Sequence, residues 1–144
     1  MNNENSQITK SNVIAHVLRL TPHQNIYEEI LKYLKNNNIN AAFIMTCVGS
    51  LRKINIRLAN AQDFIVKEEN HEIVSIVGCV SLERSHIHIC LSDNKGATIG
   101  GHLMQEGNLV NTTAELVLGE LPSLKFGLEF DEETGYDELK IKNI

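Results

Sequence analysis

Tryptophan is absent from this chain, proline occurs twice, and only three cysteines are present. The cysteines are odd in number, lie in apolar segments at Cys47, Cys79 and Cys90, and show no Cys-x-x-Cys spacing. That pattern argues against a disulfide framework or a cysteine zinc motif and for buried, reduced thiols. No apolar run approaches the roughly 18 residues that a spanning helix needs, and the start MNNENSQITK lacks the charged-then-apolar order of a secretion signal. The expectation is a cytoplasmic protein without a membrane partner. Positive charge is also scarce: 13 Lys and Arg against 18 Asp and Glu give a net charge of −5. Because Lys and Arg supply most nonspecific nucleic-acid affinity, DNA is expected to bind only weakly, and only at a local basic patch.

What is present suits one core. At 144 residues and 42% hydrophobic, the chain can bury most of its apolar surface in one domain. Residues 1–10 are polar and read as a flexible tail, leaving 11–144 as a single domain. Val13 to Leu20 reads as a strand, stopped by Thr21-Pro22. Asn25 followed by Glu28 suits a reciprocal helix cap, Ile26, Ile30, Leu31 and Leu34 share one helical face, and the run Asn36-Asn37-Asn38 ends that helix. Ala41 to Val48 has no alternation, as in a strand covered on both faces. Gly49-Ser50 reads as a turn or bend, and Ile54, Ile56 and Leu58 as a strand with one wet face. Further strands are expected at 64–66, 73–80, 86–91, 97–103, 109–118 and 125–130. The acidic end DEETGYDELK reads as a solvated terminal segment, with a final short strand around 139–141. The implied fold class is α+β: a mixed, mostly antiparallel sheet of about seven or eight strands with one main helix.

Three of the six histidines fall within HIHICLSDNKGATIGGHL. Asp93-Asn94-Lys95-Gly96 has Asp at the first and Gly at the fourth position of a type I turn, which predicts a hairpin with the three-residue loop 94–96. In that register Ser92 faces Thr98, Cys90 faces Gly100, His88 faces His102 and His86 faces Met104. His86, His88 and His102 then share one face, while Ile87, Ile89 and Leu91 share the other with Leu103 and Ile99. A four-residue loop would put His102 on the opposite face. Opposed Cβ atoms lie about 4.5–5.5 Å apart, so three imidazoles can converge on one ion, zinc or another divalent transition metal. Gly100 and Gly101 suit a close approach or a bend in the strand. Glu115 is the candidate acid/base or fourth ligand, and Arg52, Lys53 and Arg57 form a modest basic patch on a strand face.

The stretch EIVSIVGCVSLERSHIHICLSDNKGATIGGHL, followed by VNTTAELVLGEL, resembles the core of the PPC (plants and prokaryotes conserved) domain family. Upstream, VLRLTPHQNIYEEILKYLKNNNINAAFIMTCVGSLRKINIRL is similar to that family's opening strand, helix and next two strands. The resemblance runs from about Val13 to Phe130. It implies a compact α+β domain, a homotrimer, and metal ligands at His86, His88 and His102. Plant members accompany AT-hook segments and mediate contacts among transcriptional regulators, and stand-alone microbial members are often labelled predicted DNA-binding proteins. The AT-hook core Arg-Gly-Arg-Pro does not occur here. A cupin is the rival family, since His86-x-His88, Asp93 and Gly100 imitate part of its first metal motif.

The function expected is thus a homotrimeric binding or regulatory protein with a histidine-rich metal site, whose partners are its own copies and other proteins or a small ligand. The enzymatic alternative is a zinc-dependent hydratase or hydrolase, in which a three-histidine site with an open position activates water. The cupin-like metal-binding protein is a second alternative.

Overall fold

Helix α1 (Ile26–Asn36) starts where the sequence supplies a cap: the Asn25 side-chain oxygen accepts hydrogen bonds from the Tyr27 and Glu28 amides. The cap is one-sided, because Glu28 is exposed and its carboxylate makes no hydrogen bond among the described residues. Asn37 N–H donates to Tyr33 O, and Asn38 takes a left-handed φ of 55°, which ends the helix. Ile26, Tyr27, Ile30 and Leu34 form its buried face, with Leu31 at the edge of the core.

The computed structural model describes residues 7–144. Of the segment expected to be a flexible tail, residues 1–6 lie outside the described residues. Residues 7–10 have no regular structure, but the Gln7 side chain accepts from the Ile141 amide at 2.7 Å.

Nine strands occur among the described residues: β1 (Ile14–Leu20), β2 (Ala42–Arg57), β3 (Phe64–Lys67), β4 (His71–Val80), β5 (Ser85–Ser92), β6 (Thr98–Leu103), β7 (Leu109–Glu120), β8 (Leu124–Asp131) and β9 (Tyr136–Asn143). With one short helix they make an α+β fold, and each strand pairing is antiparallel, so the mixed sheet expected from sequence is not found among the described residues. Seven strands form one sheet in the order β1-β7-β2-β4-β5-β6, with β3 beside β2. Strand β2 is long enough to pair with β4 near its start and with β6 at its end, through Ile56–Leu103 and Arg57–His102. The sheet therefore closes on itself around Leu51, Ile54, Ile56, Ile76, Ile87, Ile89, Leu91 and Leu103.

Three expectations need correction. Gly49-Ser50 does not end a strand: β2 runs through it as 16 residues, with register shifts on both sides. Gly49 has φ 141°, and an added Cβ there would lie 2.1 Å from Thr113 O, so the missing side chain lets β2 stay against β7. Ala41 to Val48 is not covered on both faces. The core takes Ala42, Ile44 and Cys47, while Met45 and Val48 on the other face remain 49% and 56% exposed. The acidic end is a hairpin: Gly135 N–H donates to Asp131 O at 2.8 Å, Gly135 takes φ 74°, and β8 and β9 pair along their whole length. Leu124 and Phe126 of this hairpin bury a second small core with Ala41, against which Cys79, Leu139 and Ile141 pack.

Candidate metal centre

The hairpin that carries the histidines forms through local bonds. Asp93 Oδ1 accepts from the Lys95 and Ala97 amides, Asp93 N–H donates to Ala97 O, and Gly96 has φ 81°. The loop is 94–96, and the register pairs Ser92 with Thr98, Cys90 with Gly100 and His88 with His102, as the turn predicts. The expected pair His86–Met104 is not made. β6 leaves β5 after His102, and Met104 N–H donates to Asn55 O on β2. The crossing is close because position 101 is glycine: an added Cβ would lie 2.5 Å from Arg57 O. It sets Arg57 directly opposite His102.

His86, His88 and His102 come together on the outer face, with one nitrogen from each lying within 4.8 Å of the others. Their ring centroids are 4.8 Å apart for His86–His88, 5.3 Å for His86–His102 and 5.7 Å for His88–His102. The His86 and His88 Nε2 atoms lie 3.1 Å apart. Arg84, two residues before His86 on the same side of the chain, brings Nη2 to 3.2 Å from His86 Nδ1. A guanidinium only donates, so Nδ1 accepts and the His86 proton sits on Nε2, where it donates to His88. Arg84 also pairs with Glu138 of β9 at 3.2 Å and donates to Asp137 O. A cavity of about 250 Å³ opens here, lined by Val77, Cys79, Arg84, His86, His88 and Leu139.

The site favours the neutral form of His86 and His102. Burial, the nearby Arg57 guanidinium and the other two imidazoles hold His102 down to about 4. Burial first, then His88 and Arg84, lower His86, with Glu138 opposing. His102 Nδ1 is buried without a hydrogen-bond partner among the described residues, which costs about 1–3 kcal/mol for an unsatisfied polar group. Three converging imidazole nitrogens, a buried His102 nitrogen without a partner and a short N–N spacing make a donor set that could hold a metal ion.

Glu115 is not brought to this centre. It stands on β7 opposite Val48 and Arg19, and β2 and β4 separate it from β5, three strand spacings or about 14 Å. Glu138 is the carboxylate that reaches the histidines' neighbourhood. Asp93, the cupin-like ligand, is committed to its turn. The basic patch is divided: Arg52 meets His23, Lys53 pairs with Glu68 at 2.7 Å, and Arg57 lies beside His102. The spacing Arg84-x-His86 is the signal in the chain for Arg84, which stands just ahead of β5, whereas Glu138 carries none.

Residues 7–122 match the Plants and Prokaryotes Conserved (PCC) domain, the family that the PPC resemblance indicated. The chain belongs to this family. The PCC match ends before β8, so the hairpin that brings Glu138 and Leu139 to the histidines lies beyond it. The structure of a hypothetical protein from Salmonella cholerae-suis (Salmonella enterica) superposes with a TM-score of 0.91 at 36% identity, covering 94% of this chain and 97% of that one. The metal-containing protein AF0104 from Archaeoglobus fulgidus superposes with a TM-score of 0.77 at 26% identity, covering 94% and 99%. The bifunctional protein GlmU of Synechococcus sp. (strain JA-3-3Ab) is 35% identical over 130 residues, 90% of this chain and 21% of that protein. The chain thus spans about a fifth of the length of the curated relatives it matches. No helix among the described residues is long and apolar enough to cross a membrane.

Proposed function

We propose that this PCC domain is a homotrimeric binding or regulatory module that holds a divalent transition metal, zinc foremost, through His86, His88 and His102. The observation that carries this reading is the convergence of three imidazole nitrogens within 4.8 Å on a face that favours the neutral form of His86 and His102. A similar fold in a metal-containing archaeal protein at 26% identity supports it. A zinc ion at such a site would supply Lewis acidity at any open position. The chain's own residues do the rest. For His86 to bind through Nε2, its proton moves to Nδ1 and Arg84 turns to Glu138, a partner already at 3.2 Å.

The trimer draws support from the outer sheet face, where Val17, Met45 and Val48 are 49% to 78% exposed, more apolar surface than the single helix can cover. A binding role is favoured over the hydrolase because the designated proton carrier, Glu115, stands far from the histidines, and Glu138 is tied to Arg84.

The test is metal analysis and calorimetric titration on chelated, refilled protein made without a His tag. Wild type should take up one zinc per chain, His88→Ala should lose at least about tenfold in affinity, and His23→Ala should match wild type. Equal uptake by wild type and His88→Ala would sink the site.

A further inference from the structure

Two guanidinium groups flank the histidine cluster, Arg57 from β2 and Arg84 from the turn between β4 and β5, and the metal reading uses neither as a ligand. Arg57 stands directly opposite His102 across the β2–β6 crossing, and Arg84 touches His86. Both lie close enough to act on His86 and on His102 alike. Arg57 makes no ion pair among the described residues, and Arg84 has one carboxylate, Glu138, whose side chain is 42% exposed. With neutral imidazoles, two Arg and one Glu leave a local charge of +1 in a chain of net −5, and a divalent ion would raise it further. The opening beside them is partly apolar, walled by Val77 and Leu139. At about 250 Å³ it falls below the ~300–1,000 Å³ of pockets for drug-sized ligands.

We propose that this cavity binds a short-chain monocarboxylate, its carboxylate against His86, His88 and the Arg84 guanidinium and its apolar end against Val77 and Leu139. Arginine forks match a carboxylate in shape and charge, and an open metal position beside them would strengthen the same contact. The overall negative charge of the chain repels large polyanions while the local positive charge holds a small one, which favours a small acid over nucleic acid. Glu138 is the internal competitor: a bound carboxylate takes over the guanidinium that Glu138 now holds. The proposal rests on the metal reading for its full affinity, but Arg84 acts in the metal-free protein as well.

The experiment uses butyrate as probe, with inorganic phosphate as comparison, on cobalt-loaded and metal-free protein. Butyrate should change the visible cobalt bands saturably at millimolar concentration, and calorimetry should detect weaker binding without metal. Arg84→Gln should weaken butyrate about tenfold in the metal-free protein. Failure of cobalt to load would remove the metal reading alone, and calorimetry on the metal-free protein would then decide the carboxylate site. Absence of saturable butyrate binding in both forms, wild-type affinity in Arg84→Gln, or tighter binding of phosphate than butyrate would overturn the proposal.

Discussion

Replacing Gly101 by alanine tests the closure that sets Arg57 beside His102. The new Cβ would sit 2.5 Å from Arg57 O, a backbone atom that cannot rotate away, and real Cβ atoms essentially never approach closer than 3.0 Å. β6 must therefore move about 0.5 Å or more from β2, against a well-packed interior. Overpacking of this kind costs about 1–3 kcal/mol, and loosening one of the Ile56–Leu103 and Arg57–His102 pairings accounts for ~0.5–1.5 kcal/mol of it. In a domain of this size that is a fall in Tm of about 3–10 °C. Gly96→Ala is the matched comparison. Its site has open space but φ 81°, so it should lose about 1–2 kcal/mol through backbone strain while leaving the crossing alone. Urea unfolding gives the stabilities, and zinc titration separates the two: Gly101→Ala should lose metal affinity, Gly96→Ala should keep it. A Gly101→Ala protein with wild-type stability and zinc affinity would refute the argument that this glycine positions His102.

The pH dependence follows from the depressed imidazoles. His102 falls from 6.5 to about 4, and His86 is lowered too, so below about pH 6.5 the unfolded chain takes up protons that the folded chain refuses. Stability of the metal-free protein is therefore full above pH 6.5 and is lost as the pH drops toward 4, by about 1–2 kcal/mol after discounting for solvent screening. Urea unfolding of wild type and His102→Asn at several pH values checks this, and equal slopes would contradict it. Light scattering after size exclusion should give the mass of three chains, with Val17→Asp or Val48→Asp shifting it downward. A single-chain mass for wild type at every concentration removes the trimer. Gel shift with random and AT-rich duplexes should show only weak, nonspecific binding at about 150 mM salt, because −5 per chain repels phosphate, and tight sequence-selective binding would contradict that.

The sequence by itself determined what short-range bonds control. The Asp93 side chain captures amides two and four residues away, Gly96 takes the left-handed turn position, and these set the register that puts His86, His88 and His102 on one face. The helix was legible for the same reason, since Asn25 caps amides two and three residues on and the 3.6-residue period exposes one apolar stripe. Arg84 stands just ahead of β5, and its contact with His86 depends on the turn that joins β4 to β5. Other features depended on chain segments far apart in sequence. That β2 continues through Gly49 depends on Thr113, that Arg57 meets His102 depends on the β2–β6 crossing at Gly101, and that Glu138 reaches Arg84 depends on where the last hairpin packs. Local periodicity names a residue's face, but only the packed sheet decides which distant strand lies beside it, because that choice is made by long-range pairing and core burial rather than by neighbours along the chain.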